Sequence, residues 1–172
     1  KKNLPEQNVL NWAPSVMFRY MFNKQHVLMF RYRGRSSTPN IEDLQEVIDI
    51  TDPMNLRYGN PNLKPSFNNN FTLDYRKFVP ESMRSYSANL YYTSTLNSVA
   101  NRMTYDPQTG ARVYKKENVN GNWQARGFFS FNTPLKNKKF TISSNTNARF
   151  SDAVSYTSVG SSKNAPMFCC GV

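Results

Sequence analysis

Long apolar runs are missing from this 172-residue chain. No stretch approaches the roughly 18 apolar residues that a membrane-crossing helix needs, so helical spans are excluded. A hydrophobic content of 38% is also low for a soluble domain that must bury a core. Histidine occurs once, at His26, and cysteine twice, at the adjacent Cys169 and Cys170. Adjacent thiols match no zinc, redox or disulfide-framework spacing. His26 lies beside a turn with no recognisable nucleophile or acid as partner, which points to a surface role. A phosphate-cradling Gly loop and a Ser-His-Asp set are missing too, so the chain is not expected to be an enzyme or to hold a metal or cofactor.

Acidic residues are scarce: 11 against 22 Lys and Arg, for a formal charge of +11. In a soluble domain that excess would suggest nucleic acid as partner, but such binding needs a basic cluster. Only short knots occur, at Arg31, Arg33 and Arg35 and at Lys136, Lys138 and Lys139, so no nucleic-acid partner is expected. Strand ends facing lipopolysaccharide phosphates or lipid headgroups would use scattered cations equally well. The carboxylates Glu42, Asp43, Glu46 and Asp49 form the one acidic cluster, read as a solvated face, with cation binding as the alternative.

What is plentiful is aromatic. Twelve Phe, ten Tyr and two Trp accompany a mean hydropathy of −0.67. Such a combination suits pleated surfaces with one greasy side. From Leu10 to Phe22 the even positions are greasy (Trp12, Val16, Phe18, Tyr20), whereas the odd ones include Asn11, Ser15, Arg19 and Asn23. After a polar turn at Asn23 to Gln25, Leu28, Phe30 and Tyr32 continue the pattern and complete a hairpin. Residues 34–65 then read as one long loop, rich in Pro and Gly, in which Ile41, Leu44, Val47 and Ile48 have helical spacing; a short helix and an amphipathic loop both remain open.

Alternation resumes at Phe67, Phe71, Leu73 and Tyr75. A turn near Glu81 leads to a strand from Tyr86 that extends toward Tyr105, and Asp106 to Gly110 mark another turn. From Arg112 to Phe131 two readings stay open: one long strand with a bulge, preferred on parity, or two strands hinged at Asn120-Gly121. A polar turn at 133–139 precedes a strand over 140–150, and the last twenty residues show no strong pattern.

About six long strands therefore emerge, with short turns at one end and long loops at the other. The predicted fold is all-β, an antiparallel up-and-down transmembrane β-barrel segment with one long extracellular loop. A soluble β-sandwich used for adhesion or glycan binding would show the same alternation, but several strands reach or exceed the length usual there. Trp12, Tyr32, Tyr75, Tyr86 and Trp123 sit near strand ends, where rings occupy a membrane interface.

The segment Arg57-Tyr58-Gly59-Asn60-Pro61-Asn62-Leu63-Lys64-Pro65 and the strand after it resemble the Gly-Asn-Pro-x-Leu-Lys-Pro passage of TonB-dependent receptors and related outer-membrane barrels. The resemblance spans roughly residues 8–151 and includes Arg31 to Leu44 upstream. The motif residues Gly59, Asn60, Pro61, Leu63, Lys64 and Pro65 are read as structural: Gly59 permits positive φ and the prolines hold the chain extended into the next strand. The resemblance implies outer-membrane localisation and energised import of a bulky nutrient such as a siderophore, vitamin or oligosaccharide. It further implies lipid and lipopolysaccharide as surroundings and the TonB complex as partner, through a plug domain not identifiable in this chain. A non-transporting outer-membrane barrel is the remaining alternative.

The chain begins with Lys1 and shows no signal peptide, so an internal piece of a larger precursor is expected. Residues 1–151 are assigned to the barrel and 152–172 to an unpatterned end lacking an aromatic-terminated last strand. Phe18, Phe30, Phe71, Leu73, Leu90, Phe129 and Ile142 are expected to face lipid. Arg19, Arg31, Asn70, Asp74, Arg76, Asn89, Gln124 and Arg126 are expected to line the lumen. Ligand selection is assigned to the loops 36–58 and 106–110.

Overall fold

The computed structural model describes residues 11–45, 48–49, 52, 54–105, 108, 110–135, 139–157, 160–163 and 169–171. In chain order the strands are β1 (Ser15–Asn23), β2 (His26–Ser37), β3 (Ile48–Asp49), β4 (Asn55–Tyr58), β5 (Ser66–Val79), β6 (Arg84–Leu96) and β7 (Ser98–Tyr105). They continue as β8 (Arg112–Val119), β9 (Asn122–Pro134), β10 (Thr141–Asp152), β11 (Val154–Thr157), β12 (Gly160–Lys163) and β13 (Cys169–Gly171). A single helical turn, α1 (Ile41–Leu44), lies between β2 and β3.

Two sheets result. The wall sheet runs β1-β2-β5-β6-β9-β10-β13, every neighbour antiparallel. The loop sheet runs β12-β11-β7-β8-β4-β3 and contains two parallel contacts, β4 with β8 and β11 with β7. Chain order explains the division. The connections β1–β2 and β5–β6 are tight turns, whereas those after β2, β6 and β10 emerge together at the opposite end and supply the loop sheet. Among the described residues the wall is open, since β1 has a partner on one side only.

The strands alternate as the sequence implies, yet several boundaries differ. Gly34, read as the start of the long loop, lies inside β2. A Cβ there would come within 2.7 Å of the Phe67 ring and 2.9 Å of the Pro14 ring, so this glycine makes room for rings crossing the strand. The loop consequently spans 38–65. Its helix stops after Leu44; Ile48 instead pairs with Tyr58 in a small hairpin, and Val47 falls outside the described residues.

The strand expected to run from Tyr86 toward Tyr105 breaks at Asn97, whose φ of 51° is left-handed, a conformation Asn tolerates better than most residues. The single bulged strand preferred for Arg112 to Phe131 is likewise overturned: β8 ends at Val119, Gly121 has φ 106°, and β9 starts at Asn122 in the other sheet. Asn120-Gly121 does not close a hairpin either, because β8 and β9 do not pair. It is the place where the chain passes from loop sheet to wall. The end read as unpatterned contributes β11, β12 and β13, strands too short for a period of two to show.

Burial is concentrated away from the wall. Among the described residues only Leu63 (3% exposed), Ala111 and Val119 (2%) form a buried apolar core, and all three lie in or beside the loop sheet. In the wall Phe18 is 56% exposed, Leu90 54% and Ile142 54%. A soluble sandwich would have a second layer over these side chains, and no described element supplies one.

Candidate functional site

Residues paired directly across neighbouring strands share a face. The register links Phe18, Phe30, Leu73, Leu90, Gly127 and Ala148 in one row, with Val16, Tyr32, Phe71, Tyr92, Ala125 and Phe150 in the next. All seven residues expected to face lipid fall on this greasy face. Its two ends are aromatic. Toward the loops, Tyr32, Phe71, Tyr92 and Trp123 form a chain of rings with centroids 4.9, 6.0 and 6.1 Å apart. Toward the turns, Tyr20 meets Phe22 at 4.6 Å, and Tyr86 meets Phe131 at 5.0 Å.

Along β9 the interval from Trp123 to Phe131 is nine residues, in line with the roughly 9–11 that a tilted strand needs to cross the apolar band between aromatic girdles. His26, expected at the surface, belongs to the turn-end girdle: it stacks on Phe22 at 4.1 Å and meets the edge of Tyr75 at 5.2 Å. Its Nε2 is buried without a hydrogen-bond partner. The alternation of β2 carries it there.

The opposite face holds all eight residues expected in the lumen: Arg19, Arg31, Asn70, Asp74, Arg76, Asn89, Gln124 and Arg126. Several bond across strands. Asn70 Oδ1 accepts from the Tyr91 hydroxyl (2.9 Å) and from Thr93 Oγ1 (3.0 Å), Thr95 Oγ1 donates to Asn68 Oδ1 (2.7 Å), and Asn89 donates its amide N–H to Asp74. Asn70 Nδ2 also donates to the Arg33 carbonyl (3.4 Å), which joins β2 to the β6 hydroxyls. Arg33 and Arg149 share this face, as their parity in the sequence requires, and so does Arg35, which was read as part of the loop. Seven arginines (19, 31, 33, 35, 76, 126, 149) therefore face one aspartate, Asp74, on this side of the wall.

At the loop end, the Gly59 to Pro65 passage fastens the two sheets. A Cβ at Gly59 would collide with the Gln45 carbonyl, so the loop can pass there only over glycine. Asn60 N–H donates to the Asp43 carbonyl (2.6 Å), and its side-chain amide donates to the Lys116 carbonyl (2.9 Å). Pro61 begins the turn that tucks Leu63 into the small core. Lys64 is gripped through its backbone: its N–H donates to Asn118 Oδ1 (2.7 Å), while Asn118 Nδ2 donates back to the Lys64 carbonyl (2.9 Å) and to that of Asn97 (2.8 Å). Pro65 then delivers the chain to β5. Asn97 N–H donates to Asn120 Oδ1 and Val154 N–H to Asn122 Oδ1, both at 2.7 Å. These asparagines form a seam between wall and loop sheet.

Of the two loops expected to select ligand, 36–58 joins β8 through the parallel contact of β4 and through the Arg112 N–H, which donates to the Met54 carbonyl (2.8 Å). It borders an open cleft lined by Glu42, Asp43, Asp52, Asn55, Arg57, Tyr58, Asn101, Tyr114 and Lys116, to which no described residue of 106–110 contributes. Of the 106–110 turn, Asp106, Pro107 and Thr109 lie outside the described residues. In the acidic cluster Asp43 pairs with Lys116, Glu46 lies outside the described residues, and no metal-holding group of carboxylates, His or Cys occurs among the described ones. Asp52 accepts from the Asn55 side chain (2.7 Å) and the Met54 N–H (3.0 Å), and these bonds hold its carboxyl below the usual range.

A family model described as an outer membrane protein beta-barrel family matches residues 1–169. No curated protein and no solved structure matches the chain. The greasy face between two aromatic girdles, left uncovered by the described residues, is the face that such a family turns to the bilayer. The chain belongs to the outer membrane protein beta-barrel family, and its place in the cell is the outer membrane.

Proposed function

We propose that this wall is part of a TonB-dependent receptor that imports a bulky nutrient: a siderophore, a vitamin or an oligosaccharide. The observation that carries the reading is the continuous polar face from Arg19 on β1 to Arg149 on β10, in a chain whose loop region also holds an open cleft. A solute captured among Asp52, Arg57, Tyr58 and Tyr114 would descend along side chains that offer it hydrogen bonds. The Gly-Asn-Pro-x-Leu-Lys-Pro likeness supports the receptor class within the barrel family. Energy would come through the TonB complex acting on a plug domain. Lipid and lipopolysaccharide would cover the greasy face, with Lys77 and Arg84 near headgroups at the turn end. No step in this scheme makes or breaks a covalent bond, so no enzymatic role is proposed.

Uptake by cells lacking the protein is the direct test. Labelled siderophores, corrinoids and oligosaccharides are offered to mutant and complemented cells, with and without a collapsed proton-motive force. The expected result is loss of one class of solute in the mutant, with restored uptake dependent on the proton-motive force. Unchanged uptake of every class would favour a non-transporting barrel.

A further inference from the structure

On the polar face one rung differs from the rest. Arg126 on β9 and Arg149 on β10 are direct register partners, and both guanidinium groups converge on a single neutral acceptor, the side-chain oxygen of Gln124. With its amide oriented toward them, that oxygen accepts from Arg126 Nε (2.8 Å) and Nη2 (2.9 Å) and from Arg149 Nε (2.8 Å) and Nη2 (3.0 Å). Exposed arginines free to choose would splay apart, since like charges repel. Here they are drawn together, and a neutral amide oxygen cannot cancel two positive charges.

No described carboxylate pairs with either arginine. Asp74, the one carboxylate on this face, is held by Asn89. The two described ion pairs, Arg102 with Glu117 and Lys116 with Asp43, belong to the loop sheet and its loop. Each guanidinium carries five N–H donors, so donors beyond those given to Gln124 remain on both. Two planar forks side by side match the oxygens of a phosphate or carboxylate group.

We infer that Arg126 and Arg149, brought together by Gln124, form a binding station for the phosphate or carboxylate group of a soluble anionic solute. The inference rests on the reading of the polar face as the water-filled side of the wall. It narrows the nutrient to one bearing an oxyanion, or to one carried past an oxyanion-selective point. Gln124 acts as a positioning residue: it holds the two forks together and leaves the anion to neutralise them.

The intact protein in detergent micelles is titrated calorimetrically with pyrophosphate and, separately, with citrate, which tests phosphate against carboxylate as the recognised group. Binding of either, weakened by salt, is expected. The Arg126→Gln/Arg149→Gln variant should weaken it by about tenfold or more, as loss of charge-assisted bonds implies. Arg19→Gln/Arg33→Gln removes the same charge from the same face and should leave binding within about twofold. Arg126→Lys/Arg149→Lys keeps the charge but loses the forks, and should fall between them.

Equal losses in the two Gln variants would reduce the station to a diffuse field and overturn it. Binding of lipopolysaccharide in place of both soluble anions would overturn it as well. Labelling of Ser151→Cys, the register partner of Gln124, by a membrane-impermeant thiol reagent in a Cys169→Ser/Cys170→Ser background separates the premises. A labelled cysteine without anion binding sinks the station and leaves the water-filled face standing. An unlabelled one sinks both.

Discussion

The wall sheet and the loop sheet are built from the same polypeptide under opposite rules. In the wall, strands of up to 14 residues pair antiparallel in long registers, and none of the buried core residues belongs to it. The loop sheet has strands of eight residues or fewer and tolerates parallel contacts, yet it and the loops beside it contain Leu63, Ala111 and Val119 and both described ion pairs. The loop sheet makes its own dry interior in water. The wall makes none and takes the bilayer in its place, so its backbone must be satisfied by pairing alone. Period-two alternation is therefore a statement about two solvents, whereas the irregular loop sequence is a statement about one.

Charge placed on the greasy face should separate the two regimes most sharply. Leu90→Arg, between the girdles, is expected to destabilise the protein in lipid vesicles by about 2–4 kcal/mol. Tyr91→Arg, one residue along on the polar face, should cost far less. Denaturant titration of both variants in the same vesicles measures the difference, and equal costs would dissolve the distinction between faces.

Next in size, Asn118→Ala removes the side chain that grips Lys64 from both sides and also holds the Asn97 carbonyl. It should loosen the loop sheet by about 1–3 kcal/mol, while amide exchange in β5 and β6 below the seam stays unchanged. Exchange that quickens along the whole length of β5 would show that wall and loop sheet are not separate units. A smaller effect is expected of Lys116→Met. Its ion pair with Asp43 is only partly shielded, the side chains being 36% and 18% exposed. A loss of about 0.5–1 kcal/mol in the loop sheet is expected, falling further at high salt.

The least effect concerns pH. Asp52 is fully exposed, and its carboxyl is held below the ordinary carboxylate value because Asn55 and then the Met54 N–H hydrogen-bond the ionised form. A lowered folded-state value means that its contribution is complete above the unfolded value and is lost as pH falls through the folded one. Amide exchange at Met54 and Asn55 should quicken only in that acid range. Asp52→Asn should remove the dependence, and no change should reach the wall.

These contrasts also explain what the sequence made legible. Phe18, Leu73 and Leu90 announce their face because each strand must keep one side in lipid, and that demand repeats every second residue. Asn97 did not announce its break, because alternation continues across it; Asn120-Gly121 did mark a hinge, but intact parity favoured a single strand. Gly34 misleads in the other direction: a glycine between arginines looks like a strand end, and only the Phe67 ring above it shows why it is there. The pairing of β4 with β8 joins residues far apart in sequence without a turn to mark it. Arg149 is a related case, its face legible but its partner not. Its importance comes from lying opposite Arg126, a relation set by the β9–β10 register and invisible in either strand alone. The motif was legible in its prolines, whereas Gly59, read for a positive φ, does not adopt one: the Gln45 carbonyl lying against it is what requires glycine.

The asparagine seam has a consequence for habitat. Asn60, Asn97, Asn118, Asn120 and Asn122 fasten the loop sheet to the wall with uncharged amides, which ionic screening does not weaken and which no proton titrates near neutrality. A cell's outer surface meets whatever its surroundings supply, from dilute fresh water to brine. Ties made of carboxylate and ammonium would slacken along that range, and the mouth would change shape with the weather. Amide ties give it one geometry in all of them.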